Sequence, residues 1–328
     1  MKKFLTVVLA LCLVFTLCAC GSSKAEEAYT PVDTDTVAVG AVIIARDDVP
    51  EDEVYAFVST IFENTDTLGE QHGKGKELDL AFASSVTSVP YHPGAAKYFA
   101  EKGINVAAVK DGAGVGDKKD LTFGTGGESG TYYAFGGVLS SYVSNNNDFT
   151  VTAVTSGGSK ANIEDMAAGD VQLGFVQSDV MSYAYNGERL FESPVEGFSV
   201  VASLYMEQVQ IVTTDSKIAS VADLKGKTVS IGAVGSGVYF NAVDVLDAYG
   251  LSESDIKPVY QSFGDSADSL KDGKIDAAFI VAGAPTNAIT DLATSGNVYL
   301  VALDKEHTEA LLAASPFYSA YTIPAGTY

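Results

Sequence analysis

The alternation of apolar and polar segments along the chain predicts an α/β protein. From Leu121 onward, short runs rich in Val, Ile and Phe alternate with segments of helical periodicity, a pattern typical of a mostly parallel sheet covered by helices. The predicted strands cover 121–124, 149–155, 172–176, 198–204, 208–213, 228–232, 257–261, 276–281 and 298–303. The predicted helices cover 130–144, 159–168, 178–186, 237–249, 264–271, 285–294 and 305–313.

The residues before this region predict one further strand, two helices and a linker. Apolar residues fill 37–45, as in a buried strand. Pro50 and three acidic residues after it open a helix, because the positive end of the helix dipole favours acids in the first turn. His92-Pro93-Gly94 precedes a second predicted helix, which runs to about Lys102. The Gly-rich and charged residues 106–120 are predicted to form a linker.

The part of the chain with regular strand–helix alternation contains two similar blocks, 121–186 and 228–294. Each block opens with a strand, a Gly-rich turn and a helix. This repetition predicts two α/β lobes rather than one sheet.

The first residues are typical of an export signal. Two lysines precede an apolar segment from Phe4 to Leu17, which is shorter than the roughly 20 residues of a membrane span. The segment ends at Leu17-Cys18-Ala19-Cys20-Gly21 and resembles a bacterial lipobox, in which the cysteine becomes the acylated first residue. The sequence thus predicts lipidation of Cys20 and an extracytoplasmic protein anchored to the cell membrane. An ordinary secretory peptide cleaved nearby is the alternative.

Composition narrows the possible functions. Asp and Glu number 42 against 20 Lys and Arg, so a nucleic-acid partner is not expected, because such binding depends on basic residues. Cys20 would be the one cysteine left after cleavage, which excludes an internal disulfide. The three histidines, His72, His92 and His307, are far apart, and no Gly-x-Ser-x-Gly motif occurs. We therefore expect no enzyme, no metal and no cofactor.

A Gly-rich turn follows the strand that ends at Gly124. Its sequence, GTGGESGTYY, runs to Tyr133 and opens a helix. The N–H groups of a first helical turn have no partner inside the helix, so they can bind a carboxylate or phosphate. A Walker A loop is excluded because no Lys follows the glycines, and a dinucleotide fingerprint is weak because the next strand ends without an acid. A tight turn without a ligand remains the alternative.

Three more helix starts carry similar chemistry. A second Gly-rich turn spans 232–237, and polar residues follow two further strands at 156–162 and 177–179. All lie at carboxyl ends of strands, where open α/β sheets bind ligands. Plain N-capping is the alternative for Ser159, Ser178 and Asp179. Together the starts predict a small anionic or zwitterionic ligand between the two lobes.

Seven segments resemble one family, the TAXI-type solute-binding receptors of tripartite ATP-independent periplasmic (TRAP) transporters. They are FGTGGESGTYYAFGG from Phe123, TSGGSKANIEDMAAGDVQLGFVQSDV from Thr155, SLYMEQVQIV from Ser203, VADLKGKTVSIGAVGSG from Val221, DAAFIVAGAPTNAI from Asp276, TVAVGAVIIARDDVPEDEVY from Thr36 and HPGAAKYFAEKGI from His92. The resemblance implies a type II periplasmic-binding-protein fold, in which two α/β lobes close on a ligand. It also implies delivery of that ligand to TRAP permease subunits driven by an ion gradient.

The order of these segments departs from the family. The segment 36–105 stands first here, whereas its counterpart in a usual member comes last. A circular permutation explains this order, with 106–120 bridging the old ends, and it predicts that 316–323 and 36–45 lie close in space. A rearranged gene model, or a strand supplied by a neighbouring molecule, is the alternative. The predicted organisation is a signal peptide at 1–19, a tether at 20–35, a hinge strand at 36–45, a first lobe at 46–205 that includes the linker 106–120, a second lobe at 206–315 and a terminal hinge strand at 316–328.

The resemblance also implies the ligand contacts. They are Thr125, Gly126, Gly127, Thr131, Tyr132, Ser156, Ser159, Gln177, Ser178, Asp179, Ser236 and Gly237. Backbone N–H groups and hydroxyls would bind a carboxylate, and Gln177 or Asp179 would bind an ammonium. The chain departs from the family at Val238, which removes a hydroxyl, and at Lys160, which adds a charge.

The implied ligand is a C4–C5 dicarboxylate or an acidic amino acid such as glutamate, and we expect a monomer. An exported sensor of the same fold that signals to a membrane partner is the alternative function.

Overall fold

The predicted alternation of strands and helices is present in the computed structural model, which describes residues 30–109 and 120–328. The first range holds β1 (Thr34–Arg46), α1 (Glu51–Phe62), α2 (Thr65–Gln71), α3 (Leu80–Ala83) and α4 (Pro93–Glu101), with a 3₁₀ turn at Gly73–Glu77. Residues 120–213 hold β2 (Asp120–Gly124), α5 (Thr131–Asn146), β3 (Thr150–Val154), α6 (Ser159–Ala168), β4 (Leu173–Gln177), α7 (Ser178–Asn186) and β5 (Phe198–Thr213). The rest holds β6 (Thr228–Ser230), α8 (Val238–Ala248), β7 (Lys257–Val259), α9 (Phe263–Lys271), β8 (Ala277–Ala282), α10 (Asn287–Ala293), β9 (Tyr299–Leu300), α11 (Lys305–Ala314) and β10 (Ser319–Ile323).

Some predictions fall on residues outside the described ranges. These are the signal peptide, the lipidation site Cys20, the tether up to Tyr29, and 110–119 of the linker. Within the described ranges, no helix combines the length and the apolar character needed to cross a bilayer.

The ten strands of the described residues form one continuous sheet. The repeated blocks predicted two α/β lobes rather than one sheet, so the prediction was wrong about the sheet. The order is β3-β2-β4-β1-β5-β8-β6-β7, with β10 on β1 and β9 on β5. Strands β2, β3 and β4 are mutually parallel, as are β6, β7 and β8, whereas β1 and β5 run antiparallel to their neighbours. The sheet is continuous because β1 and β5 are long enough to pair with strands of both halves.

Strand β5 also replaces the two strands predicted at 198–204 and 208–213. It is buried along almost its whole length, with Met206 alone half-buried. Residues up to Gln208 pair with β1, and residues from Gln208 onward pair with β8. The prediction was wrong because Glu207 and Gln208 interrupt the apolar pattern although both are buried.

Strands β1 and β10 form an antiparallel pair, with Thr34 opposite Ile323 and Ala38 opposite Ser319. The Ala325 N–H donates to Asp33 Oδ1 over 2.8 Å, just beyond the paired residues. The predicted proximity of 316–323 and 36–45 is therefore confirmed.

Separate apolar cores lie in the two halves of the sheet. In the first lobe, helices α1, α4 and α5 pack their apolar faces against the sheet, with Phe57, Phe99 and Phe135 fully buried. In the second lobe, alternate residues of β8 face opposite sides, so Phe279 joins the core under α8 while Ile280 joins the core under α9 and α10. Helices thus cover both faces of the sheet, as the α/β prediction requires.

Candidate functional site

Three helices that begin at the carboxyl ends of strands have a glycine as the N-cap. The N-caps of α5, α6 and α8 are Gly130, Gly158 and Gly237. A glycine has no side chain to accept a hydrogen bond, and the first N–H groups of a helix have no acceptor inside it. These helix starts are consequently available for an anionic group.

The glycine turns of the two lobes face each other. The Ala161 N–H in the first turn of α6 donates to Gly235 O of the second turn over 3.0 Å. A Cβ added at Gly157 would lie 2.8 Å from Val234 O. Glycine is therefore required at position 157, because the two backbones approach too closely for a side chain.

A cavity lies between these turns, and nine of the twelve predicted contact residues line it. They are Gly126, Gly127, Thr131, Tyr132, Ser156, Ser159, Gln177, Ser236 and Gly237. The space open to the centres of water-sized molecules is about 80 Å³, against roughly 10–15 Å³ for one water by the same measure. The cavity has room for a small organic ligand.

Three predicted contact residues lie outside the cavity lining. The Thr125 hydroxyl donates to Val154 O over 2.6 Å, and the Ser178 hydroxyl accepts from the Gly40 N–H of β1 over 3.1 Å. Asp179 is fully buried and accepts from Asn241 Nδ2 of α8 over 2.9 Å. Because α7 follows β4 without an intervening turn, its first residues pack against β1 and α8 rather than the cavity.

Glu207 of β5 lines the cavity and was not singled out from the sequence. Its carboxylate accepts from the Tyr132 hydroxyl over 2.6 Å, and the residue is 2% exposed. Burial raises the pKa of Glu207 to about 8, helped by the charge of Asp179 and opposed by the Tyr132 hydrogen bond and by Lys74. The available sequence signal was an isolated acid inside the apolar segment SLYMEQVQIV.

Two further buried polar atoms of the lining lack partners. Gln177 Oε1 and Ser236 Oγ accept and donate no hydrogen bond. An unsatisfied buried polar group costs about 1–3 kcal/mol, so both atoms favour a polar ligand in the cavity.

Glu207 is the one ionisable acid or base among the described residues that line the cavity, apart from the Tyr132 hydroxyl. Lys160, expected to add a charge beside the ligand, pairs instead with Glu164 and lies over the ring of Phe191. Val238 lines the cavity and contributes only apolar atoms. Across residues 30–109 and 120–328, no group of three or more His, Cys, Asp and Glu side chains could hold a metal ion.

The sequence matches a known protein family. The sequence model of the NMT1-like family matches residues 24–103 and 123–328. The chain belongs to the NMT1-like family. This is a family of periplasmic solute-binding proteins. The strand order and the helices on both faces of the sheet confirm the predicted α/β class.

Several solved structures are similar to this member of the NMT1-like family. The alkanesulfonate-binding protein SsuA from Xanthomonas axonopodis pv. citri, bound to MOPS, is 21% identical, with 57% of this chain and 62% of that chain covered and a TM-score of 0.40. An ancestral arginine-binding protein bound to arginine is 15% identical, with 56% and 79% covered and a TM-score of 0.40. The GluR0 ligand-binding core in complex with L-glutamate is 14% identical, with 57% and 80% covered and a TM-score of 0.37. The matched region spans less than two thirds of the SsuA chain.

The family assignment supports the predicted solute-binding class. The NMT1-like family consists of binding proteins for small solutes and not of enzymes, and it is periplasmic. The predicted solute-binding class is confirmed at this level.

Proposed function

We propose that this protein is an extracytoplasmic, lipid-anchored solute receptor for a small carboxylate or a glutamate-like amino acid, which it delivers to a TRAP-type permease. The observation that carries the proposal is the convergence of three helix starts with glycine N-caps, those of α5, α6 and α8, on one cavity. Helix starts bind carboxylates well because their free N–H groups and the helix dipole act together.

The contacts between the lobes support capture by closure. The Thr131 hydroxyl donates to Gly283 O over 2.9 Å, and the Ala288 N–H donates to Ser129 O over 3.2 Å. With the bond from Ala161 to Gly235, these contacts surround the cavity. A solute would enter when they are broken and be retained when they re-form, which is the cycle that a transport receptor needs.

The polar lining then sorts into roles. The backbone N–H groups at the starts of α5 and α6 and the Ser159 hydroxyl would bind the carboxylate. Ser159 Oγ already accepts from the Gln177 N–H over 3.0 Å, which orients its hydroxyl hydrogen away from that bond. Thr131 would act mainly through its N–H, because its hydroxyl serves the contact with Gly283.

A circular permutation remains our explanation for the segment order. The end of β10 lies beside the start of β1 in antiparallel register, an arrangement that a short turn could connect. In a chain of the usual order, that turn would join the two strands directly.

Calorimetry tests the receptor proposal. The protein is titrated with L-glutamate, glutarate, succinate, L-arginine and an alkanesulfonate. We expect a micromolar or tighter ligand among the carboxylates and acidic amino acids. A flat response across the panel would overturn the proposal, and tight binding of the alkanesulfonate alone would move the ligand to another class.

A second measurement tests delivery. If TRAP permease genes lie beside this gene, receptor-dependent uptake of the same ligand into vesicles that contain those permease subunits supports transport. A neighbouring histidine kinase gene and no permease genes would instead favour the sensor function.

A further inference from the structure

An acid without a counter-charge stands in the wall of the cavity. We propose that Glu207 is the specificity-determining residue of this site and holds the ammonium group of a ligand that also bears a carboxylate, which makes the solute an amino acid rather than a dicarboxylate. The inference rests on the proposed function, because it takes the cavity to be the ligand site.

The position of Glu207 is fixed from both sides. Its backbone belongs to β5, which pairs with β1 and β8. Its Oε2 accepts from the Tyr132 hydroxyl, and the Tyr132 ring stacks on Phe175 with centroids 4.6 Å apart. The Tyr132 hydroxyl thus holds one carboxylate oxygen, Oε2. In the proposal, the other oxygen accepts from the ammonium of the ligand.

Neighbouring acceptors match the same group. Gln177 Oε1 and Ser236 Oγ are buried in the cavity wall without partners. Gln177 and Ser159 both lie beside Gly237, because a Cβ added there would lie 2.6 Å from Gln177 Cδ and 2.9 Å from Ser159 Oγ. An ammonium carries three N–H donors and no acceptor. A carboxylate oxygen, an amide oxygen and a hydroxyl are the complement of that group.

The charge around Glu207 distinguishes the ligand classes. Lys74 is the nearby cation, but its Nζ pairs with Glu77 over 2.6 Å and lies over the Tyr205 ring. Asp179, from α7, adds negative charge on the other side, and Tyr132 and Tyr205 are the remaining titratable neighbours. Once Glu207 is ionised, a second ligand carboxylate placed here would meet like charge in a dry site. An ammonium would supply the missing counter-charge.

Proton release is a measurable consequence. Burial raises the pKa of Glu207 to about 8, so the empty closed site holds the proton at pH 7. Binding converts the neutral acid and the ligand ammonium into an ion pair and one free proton. Affinity for an amino acid should then rise from pH 6 to pH 8, whereas affinity for a dicarboxylate should not.

Calorimetry of the full protein with L-glutamate and glutarate tests the inference, because the two compounds differ only in the amino group. In phosphate and Tris buffers at pH 7, the wild type should release close to one proton on binding glutamate and none on binding glutarate. Glu207→Gln should weaken glutamate at least tenfold, abolish the proton release and leave glutarate equal or tighter. Glu128→Gln, an exposed acid of the first glycine turn, is the matched control and should behave as the wild type.

A second variant keeps the test valid if Glu207→Gln unfolds. Tyr132→Phe removes the hydrogen bond that lowers the pKa of Glu207, so its glutamate binding should be weaker at pH 7 and recover towards pH 9. Two outcomes would overturn the inference while the receptor function stands. In one, the wild type binds glutarate as tightly as glutamate. In the other, a folded Glu207→Gln variant binds glutamate normally. Absence of binding by either compound would count against the proposed function itself.

Discussion

Asp179 shows how a single buried acid connects the two lobes. It begins α7 in the first lobe and accepts from Asn241 Nδ2 of α8 in the second. The same Nδ2 donates to the Tyr318 hydroxyl over 2.9 Å, just before β10. Asp179 Oδ1 and Asn241 Oδ1 both lack a donor. Burial raises the pKa of Asp179 to about 7, so near neutral pH the acid carries a proton that one of these oxygens can share.

Asp179→Asn should flatten the pH dependence of stability. The folded state binds the Asp179 proton more tightly than the unfolded state, so the free energy of unfolding falls as pH rises from about 4 to 7. The Asn side chain carries no titrating proton and offers an N–H to Asn241 Oδ1. Urea unfolding at pH 5 and pH 8 should show a wild-type loss on the order of 2–4 kcal/mol from this group, and a smaller loss in the variant.

Glu207 also lowers the free energy of unfolding as pH rises to about 8, because burial raises its pKa. The Asp179→Asn variant therefore retains part of the pH dependence of stability. Asp268→Asn, at an exposed acid of α9, is the control. An unchanged slope in Asp179→Asn would contradict the assignment.

At the residue scale, the sequence predicted that glycines and hydroxyls beside helix starts bind an anionic group. Nine of the twelve residues chosen on this basis line the cavity. The sequence could not identify Glu207, because an acid within a strand is expected to be exposed. The burial of Glu207 depends on helices that are distant in the chain. Nor could the sequence separate Asp179 from the cavity, since its partner Asn241 lies 62 positions away.

Helix starts are the elements that build the site. Regular periodicity predicted α6 and α7 at 159–168 and 178–186, the residues observed. Local pattern was less informative elsewhere: β9 spans only Tyr299–Leu300 of the predicted 298–303. The short helices α2 and α3 lie in a polar, Gly-containing stretch whose packing on the first lobe has no clear sequence period.

Gly237→Ala should block closure of the lobes without unfolding them. The backbone of Gly237 has helical dihedral angles that alanine also adopts. The atoms that its new Cβ would meet are Gln177 and Ser159, which belong to the opposite lobe. We expect at least a hundredfold loss of ligand affinity with a melting temperature of the ligand-free protein within a few degrees of wild type.

Calorimetry and thermal unfolding measure the two effects separately. Gly137→Ala, in the middle of α5 with no atom within 4 Å of the new Cβ, is the matched control and should bind normally. Normal binding by Gly237→Ala would mean that this closed arrangement is not the one that holds the ligand.

At the scale of the whole chain, the pairing of β1 with β10 joins the two extremes of the described sequence. Asp33 and Ala325 are hydrogen-bonded, and five residue pairs align the strands beyond them. The α/β class and the proximity of these segments were predictable from the sequence. The continuity of the sheet was not, because it depends on β1 and β5 each pairing with both halves.

Restoring the usual segment order should preserve the fold. A chain in which a short Gly-Ser linker joins Tyr328 to Asp33 and a new opening is placed between residues 110 and 119 keeps every described strand pair. Loop openings and short connections cost little when the joined ends are adjacent. We expect ligand affinity within threefold of the original chain by calorimetry, and an insoluble or non-binding product would argue against permutation.

Strand β5 gives Glu207 a second property. Because this strand pairs with β1 and with β8, a separation of the halves by bending there would move Glu207 little. A solute could therefore dock there while the molecule is open, amino group first. The helix starts would contact the carboxylate of the solute only when the halves close. Recognition would then proceed in two stages, with the amino group bound before the carboxylate.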